Sequence, residues 1–144
     1  MTVNDDRTRT LPRPPHPIHA VLLAGTLPLF LGGMLSDIAY ASSYHIQWNN
    51  FASWLIAGGL VFAGFALLCA IIDMFRRGRR GSRAGIHVLL LLATWVLGFL
   101  NALTHARDAW ASMPLGLILS VLVFVLALAA IWTGFATSDT GGER

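Results

Sequence analysis

Four ionisable side chains stand inside long apolar runs of this 144-residue chain: His19, Asp37, His87 and His105. Such groups are costly to place against hydrocarbon, so each is a candidate for function. Their spacing is regular. His19 precedes Asp37 by 18 residues, and His87 precedes His105 by the same interval. At about 100° and 1.5 Å per residue, that interval is roughly five turns and 27 Å of helix. Each pair therefore shares one helical face, with one member near each end. Thr26 and Gly33 fall on the face of His19 and Asp37, and Thr94, Gly98 and Asn101 on the face of His87 and His105.

Two chemistries suit these residues. Opposed histidines at one depth of a helical bundle can ligate a b-type haem, each giving a neutral ring nitrogen to iron. His19 and His87 are the candidates. Gly25, Gly58, Gly59, Gly64, Gly85 and Gly98 would thin the neighbouring helices for the porphyrin, and arginines at the same rim would pair with its propionates. The plainer readings are interfacial histidines facing water or imidazoles bonded to backbone, and a proton relay or a quinone contact is the remaining functional one. At the other rim, Asp37 beside His105 can hold and pass a proton near neutral pH. His105 with Asn101 could also hydrogen-bond a quinone. Arg107, Asp108, His45, Asn49 and Asn50 surround that end, where a purely structural network is the competing reading. A metal site made from Asp37, His45 and His105 matches no standard ligand spacing. Asp73 stands beside Arg76 and Arg77, so an ion pair along the helix is its simplest role. Orientation of His19 or His87 is the other. His16 lies just ahead of the first helix and is read as interfacial or as its cap.

The elements that must position these groups follow from composition. Hydrophobic residues make up 56% and charged residues 12% of the chain, about half the charged share of a soluble domain. The apolar residues come in blocks long enough to cross ~30 Å of hydrocarbon. We expect an all-α, integral membrane four-helix bundle, with spans at about 17–40, 50–75, 84–104 and 115–136. A polar tail over 1–15 and another over 138–144 flank a membrane domain over 16–137. Pro17 suits the first turn of span one, Pro28 should bend that span, and Pro114 suits the opening of span four. "AYA" at Ala39–Ala41 resembles a signal cleavage site, but the apolar run before it exceeds the core of a signal peptide. The single Cys69 leaves no partner for an intramolecular disulfide and reads as a small buried hydrophobe.

All ten basic residues are arginine, and the net charge is +3. They flank the spans rather than forming the basic face of a soluble domain, which argues against nucleic-acid binding. Arg7, Arg9 and Arg13 precede span one; Arg76, Arg77, Arg79, Arg80 and Arg83 crowd the middle loop; Arg107 alone marks the remaining loops. The positive-inside rule then puts both termini and the middle loop in the cytoplasm. Trp48, Trp54 and Trp110 fall at the outer interface and Trp132 near the inner one, as anchors.

Spans one and three also resemble each other. Aligning "HAVLLAGTLPLFLGGMLSD" from His19 with "HVLLLLATWVLGFLNALTH" from His87 matches His19 to His87, Thr26 to Thr94 and Asp37 to His105. Two hairpins related as a repeat would set spans one and three diagonally across the bundle. His19 would then face His87, and Asp37 would approach His105 and Asn101.

The His16-Pro17-x-His19 opening, Asp37 closing span one, the glycine-rich span two ending in Asp73, and His87 opening span three resemble an uncharacterised family of bacterial four-helix inner-membrane proteins, a domain of unknown function. The likeness runs from His16 to about Phe135. A second proline often follows the second histidine in that family, where this chain has Ala20. The resemblance implies four spans and a place beside periplasmic quinoprotein-type dehydrogenases, with no catalytic assignment. The leading expectation is a small electron-transfer subunit, not an enzyme by itself, linking a periplasmic redox enzyme to haem b and quinone in contact with lipid. The alternatives are an anchor or scaffold for a partner, a small proton-coupled transporter, and association into a homo-oligomer.

Overall fold

A computed structural model of the chain describes residues 16–76, 82–107 and 109–139, the last four by backbone alone. Four long helices carry the fold: α1 (Pro17–Ser43), α2 (Ile46–Arg76), α3 (Ser82–His105) and α5 (Leu115–Asp139), with a single turn, α4 (Ala109–Ser112), before the last. No strand occurs among the described residues. Each long helix is apolar and long enough to span a membrane. The helices extend beyond the expected spans, α2 beginning at Ile46 and α3 at Ser82.

The ends are set by local chemistry. Pro17 occupies the first turn of α1, where its missing N–H is no loss. His16 stands at the N-cap but makes no side-chain cap bond, so it does not cap the helix as one sequence reading allowed. α1 runs unbroken through Pro28. It stops at Tyr44, which adopts the left-handed conformation at φ 55° and donates its N–H to the Tyr40 carbonyl. A tyrosine pays roughly 1–2 kcal/mol for that conformation. Its ring stacks on Trp110 at 5.8 Å and meets Tyr40 edge-on at 6.0 Å, which offsets the cost.

α1 packs on α2 and α5, and α3 packs on α2 and α5. α1 and α3 thus face each other diagonally across an antiparallel square, as the repeat predicts. In each span 28% of the apolar window is buried, about the share of a single stripe on a helix. The remaining faces carry Leu, Ile, Val and Phe to the outside, for example Val21, Leu35, Val61, Phe65, Leu89 and Val125. A bilayer is the solvent that fits such a surface.

The buried stripes repeat. The buried positions of α3 are His87, Leu91, Thr94, Gly98, Asn101, Thr104 and His105. Each has a buried counterpart in α1: His19, Leu23, Thr26, Phe30, Gly33, Ser36 and Asp37, at the interval of 68 that separates His19 from His87. Two apolar clusters fill the centre. Phe30, Ala52, Ile56, Ala63, Val123 and Ala127 form one, and Leu23, Ala66, Ala70, Leu91 and Ala130 the other. They lie between two polar centres, one toward each end of the bundle.

Candidate functional site

The polar centre at the Asp37 end, outer in the expected orientation, is a closed ring of hydrogen bonds. Asp37 of α1 is fully buried, and its Oδ1 lies 2.7 Å from His105 Nε2 on α3. Ser120 of α5 donates its hydroxyl to Asp37 Oδ2 at 2.5 Å and accepts from Asn101 Nδ2 at 2.8 Å. His105 Nδ1 donates back to the Asn101 carbonyl at 3.0 Å, which closes the ring. Three helices are thereby tied at one depth. One turn of helix separates Asn101 from His105, so the same face supplies both.

This ring fixes where the hydrogens are. A carbonyl only accepts, so His105 Nδ1 carries a hydrogen. Ser120 already donates to Oδ2 because its own lone pair accepts from Asn101. One hydrogen must therefore lie between His105 Nε2 and Asp37 Oδ1. Whether it sits on nitrogen or oxygen, the pair as a whole is neutral. That is the state a buried acid–base pair needs when no water can screen it.

His105 is seated by a missing side chain. A Cβ on Gly116 of α5 would stand 2.9 Å from His105 Cε1. The same device recurs at the inner centre, where a Cβ on Gly134 would stand 2.8 Å from His87 Cε1 and 3.0 Å from Leu23 Cδ1. There His87 Nδ1 donates to the Ala130 carbonyl at 3.0 Å and lies 3.2 Å from Thr133 Oγ1. His87 Nε2 is 3.3 Å from His19 Nε2, and the rings meet edge to face at 81°.

The residues do not fit a haem between His19 and His87. A metal held by two imidazoles needs a nitrogen about 2 Å to either side, hence ring nitrogens roughly 4 Å apart with the macrocycle between them. The 3.3 Å contact is a direct hydrogen bond. The glycines expected to make room are already filled by neighbours: Gly25 faces Phe62, Gly59 faces Phe30, Gly64 faces Trp95, and Gly98 faces Leu60 and Phe30. Gly58 meets Leu29, while Gly85 lies on the outer surface with nothing within 4 Å. A quinone carbonyl at the outer centre would need a free donor. Both His105 nitrogens are engaged, while the Asn101 amide gives one of its two hydrogens to Ser120 and keeps the second.

The other candidates disperse. Thr26 and Thr94 are buried on the expected stripe, but each hydroxyl bonds its own helix, to the Leu22 and Leu90 carbonyls. Arg107, His45 and Asn50 are exposed, and Asp108 lies outside the described residues. Asn49 is buried and accepts from Ser112 at 3.1 Å, pinning the short α4 turn to α2. Asp73 interacts electrostatically with His19. Among the described residues no three His, Cys, Asp or Glu side chains are grouped to hold a metal, so the Asp37–His45–His105 combination is not assembled.

Sequence reasoning missed Gly116, Ser120, Thr133 and Gly134. The signal was there: between Leu115 and Phe135 these four interrupt a run made otherwise of Leu, Ile, Val, Phe, Ala and Trp. All four touch one of the two polar centres.

No curated protein and no solved structure matches this chain. One family model does, across residues 15–142, and its description is a predicted membrane protein. Four apolar membrane-length helices and a match over nearly the whole chain agree: the protein belongs to the DUF2231 family of predicted membrane proteins.

Proposed function

We propose that this chain is a small proton-binding subunit of the bacterial inner membrane, with Asp37 and His105 as its proton site. The observation that carries this reading is the 2.7 Å contact of His105 Nε2 with Asp37 Oδ1 inside a buried ring, a contact that requires one hydrogen between the two atoms. Removing that hydrogen leaves a carboxylate oxygen facing an imidazole lone pair at 2.7 Å. Two acceptors at that distance repel. The ring must then open, and α1 must shift against α3. Proton release is thus coupled to a change in helix packing, the bistable element that proton-linked transport requires. The arginine distribution favours cytoplasmic termini, which would put this site toward the periplasm.

The electron-transfer reading would use the same bundle as a partner of a periplasmic redox enzyme, with haem b at His19 and His87. The closed His19–His87 contact favours the proton reading over it. A scaffold role is supported by the network alone, since a ring joining α1, α3 and α5 would also stiffen an anchor.

Purified protein in lipid nanodiscs separates the three. We expect infrared difference spectra on a pH step to show a carboxyl band that Asp37→Asn removes. In vesicles with an entrapped pH dye, an imposed potential should move protons in the wild type and not in Asp37→Asn. A spectrum and flux indifferent to Asp37→Asn would leave the scaffold. A Soret band in protein from haem-replete cells, lost in His19→Ala, would restore electron transfer.

A further inference from the structure

The inner centre has a polarity that its two identical side chains do not suggest. His87 Nδ1 faces the Ala130 carbonyl at 3.0 Å and must carry a hydrogen. In neutral His87 the other nitrogen, Nε2, is then an acceptor. The 3.3 Å contact between the two Nε2 atoms therefore needs its hydrogen on His19. Neutral His19 keeps only a lone pair on Nδ1. That atom is buried without a partner, on a side chain of 8% exposure. A basic nitrogen buried unpaired is a standing cost, and the ligand that removes it is a hydrogen-bond donor or a proton.

Burial weighs against a charge on the ring, and a carboxylate on the next helix weighs for it. The titratable and charged groups at this end are His16, three residues before His19, Asp73 of α2, which acts on His19 electrostatically, His87 of α3, Arg76 one turn beyond Asp73 and Arg83 one turn before His87. α5 contributes the Ala130 carbonyl and the Thr133 hydroxyl, both turned to His87. Below the pair, Leu23, Leu91, Ala66, Ala70 and Ala130 close the core. A proton reaching this centre has a base to receive it, a carboxylate to balance it and an apolar floor that stops it.

We infer that the His19–His87 pair is a second proton site, which accepts one proton at His19 Nδ1 and holds it as a hydrogen-bonded imidazolium–imidazole pair. The step balances simply. The incoming proton bonds to Nδ1 of His19, and the hydrogen already on its Nε2 is free to pass to His87 Nε2. Either ring then carries the single positive charge. This site uses none of the residues of the Asp37 ring and does not rest on the proton reading of that ring.

The test is ring nitrogen NMR on the full-length protein in nanodiscs, 15N-labelled at histidine. His16→Gln, His45→Gln and His105→Gln assign the remaining signals to His19 and His87. At alkaline pH we expect His87 with hydrogen on Nδ1 and His19 with hydrogen on Nε2. On acidification the pair should gain one proton, with both rings shifting together in a single step. His87→Gln should leave His19 titrating alone, and Asp73→Asn should move the pH of the shared step. Asp37→Asn should leave that step in place, which separates this proposal from the one above. Neutral His19 with hydrogen on Nδ1, two unlinked steps, or no uptake before the protein unfolds would each overturn it.

Discussion

Gly116→Ala tests whether His105 is held in a fitted notch. The new Cβ would stand 2.9 Å from His105 Cε1 and 3.4 Å from Nε2. Ordinary carbon contacts begin at about 3.5 Å, so the ring must retreat by about 0.6 Å. It has little freedom to do so, because Nδ1 is bound to the Asn101 carbonyl at 3.0 Å and Nε2 to Asp37 at 2.7 Å. Charge-assisted bonds of this kind are made at about 2.7–2.9 Å, and a retreat of that size carries Nε2 out of the range. Overpacking costs about 1–3 kcal/mol, and a weakened bond to a charged partner adds to it, with about 1.5–3 kcal/mol at stake. We expect a loss of about 2–4 kcal/mol.

The control is the same substitution where space is open. A Cβ on Gly85 of α3 meets nothing within 4 Å. Gly85→Ala should be neutral or stabilise by up to about 1 kcal/mol, since alanine is the better helix former. Reversible unfolding by SDS in bicelles, followed by tryptophan fluorescence, reads both variants. In a His105→Ala background the penalty of Gly116→Ala should fall away, a coupling that a general helix effect would not show. If Gly116→Ala lies within about 0.5 kcal/mol of Gly85→Ala, a resolution such cycles reach, the notch does not hold the histidine.

Ser120→Ala should cost about 2–3 kcal/mol in the same assay, although it removes a single oxygen, because both Asp37 Oδ2 and the Asn101 amide lose their partner. Gly134→Ala should push the His87 ring away from the position it holds now and break the joint behaviour of the His19–His87 pair in the nitrogen spectrum, with a stability loss of about 1–3 kcal/mol. Orientation can be read from cysteine labelling in a Cys69→Ser background. An impermeant maleimide on intact spheroplasts should label Ser42→Cys, in the exposed end of α1, and should reach Ser82→Cys, at the exposed start of α3, only after permeabilisation. The reverse pattern would invert the topology and place the Asp37 ring at the cytoplasmic side.

Much of the bundle was legible in the residues. Length and apolarity announce the spans, and the cost of polar groups in lipid turns the stripes of His19–Asp37 and His87–His105 inward. What the pattern could not supply was distance. Two histidines on diagonal helices read the same whether they are 3.3 Å apart or spread around a cofactor. Glycines are equally ambiguous, since one that could make a cavity can instead admit a neighbour's ring, as Gly59 admits Phe30 and Gly25 admits Phe62. Ser120 was overlooked for a related reason. A lone serine in an apolar helix usually bonds its own backbone, as Thr26 and Thr94 do here, and only the packed partner shows otherwise.

The repeat explains why the two centres differ in kind. Around an approximate two-fold axis, a residue near the axis faces its own counterpart. His19 thus meets His87, and Asp37 meets His105, both pairs at the interval of 68. Two identical imidazoles cannot both donate and cannot both accept across one contact, so something must break the symmetry at the inner centre. The helices α2 and α5 supply the break. Buried Ala52, Ile56, Gly59, Ala63 and Ala66 of α2 are matched, at one constant spacing, by Gly116, Ser120, Val123, Ala127 and Ala130 of α5. At that spacing Thr133 corresponds to Cys69, Gly134 to Ala70, and Ser120 to Ile56. The hydroxyls and the notches therefore lie on α5 alone. They orient His87 rather than His19, and they bind the second oxygen of Asp37. At the outer centre the break is already in the pair itself, one acid and one base. The inner centre remains a like pair, made unequal by its neighbours, and that inequality is what leaves His19 Nδ1 open to a proton.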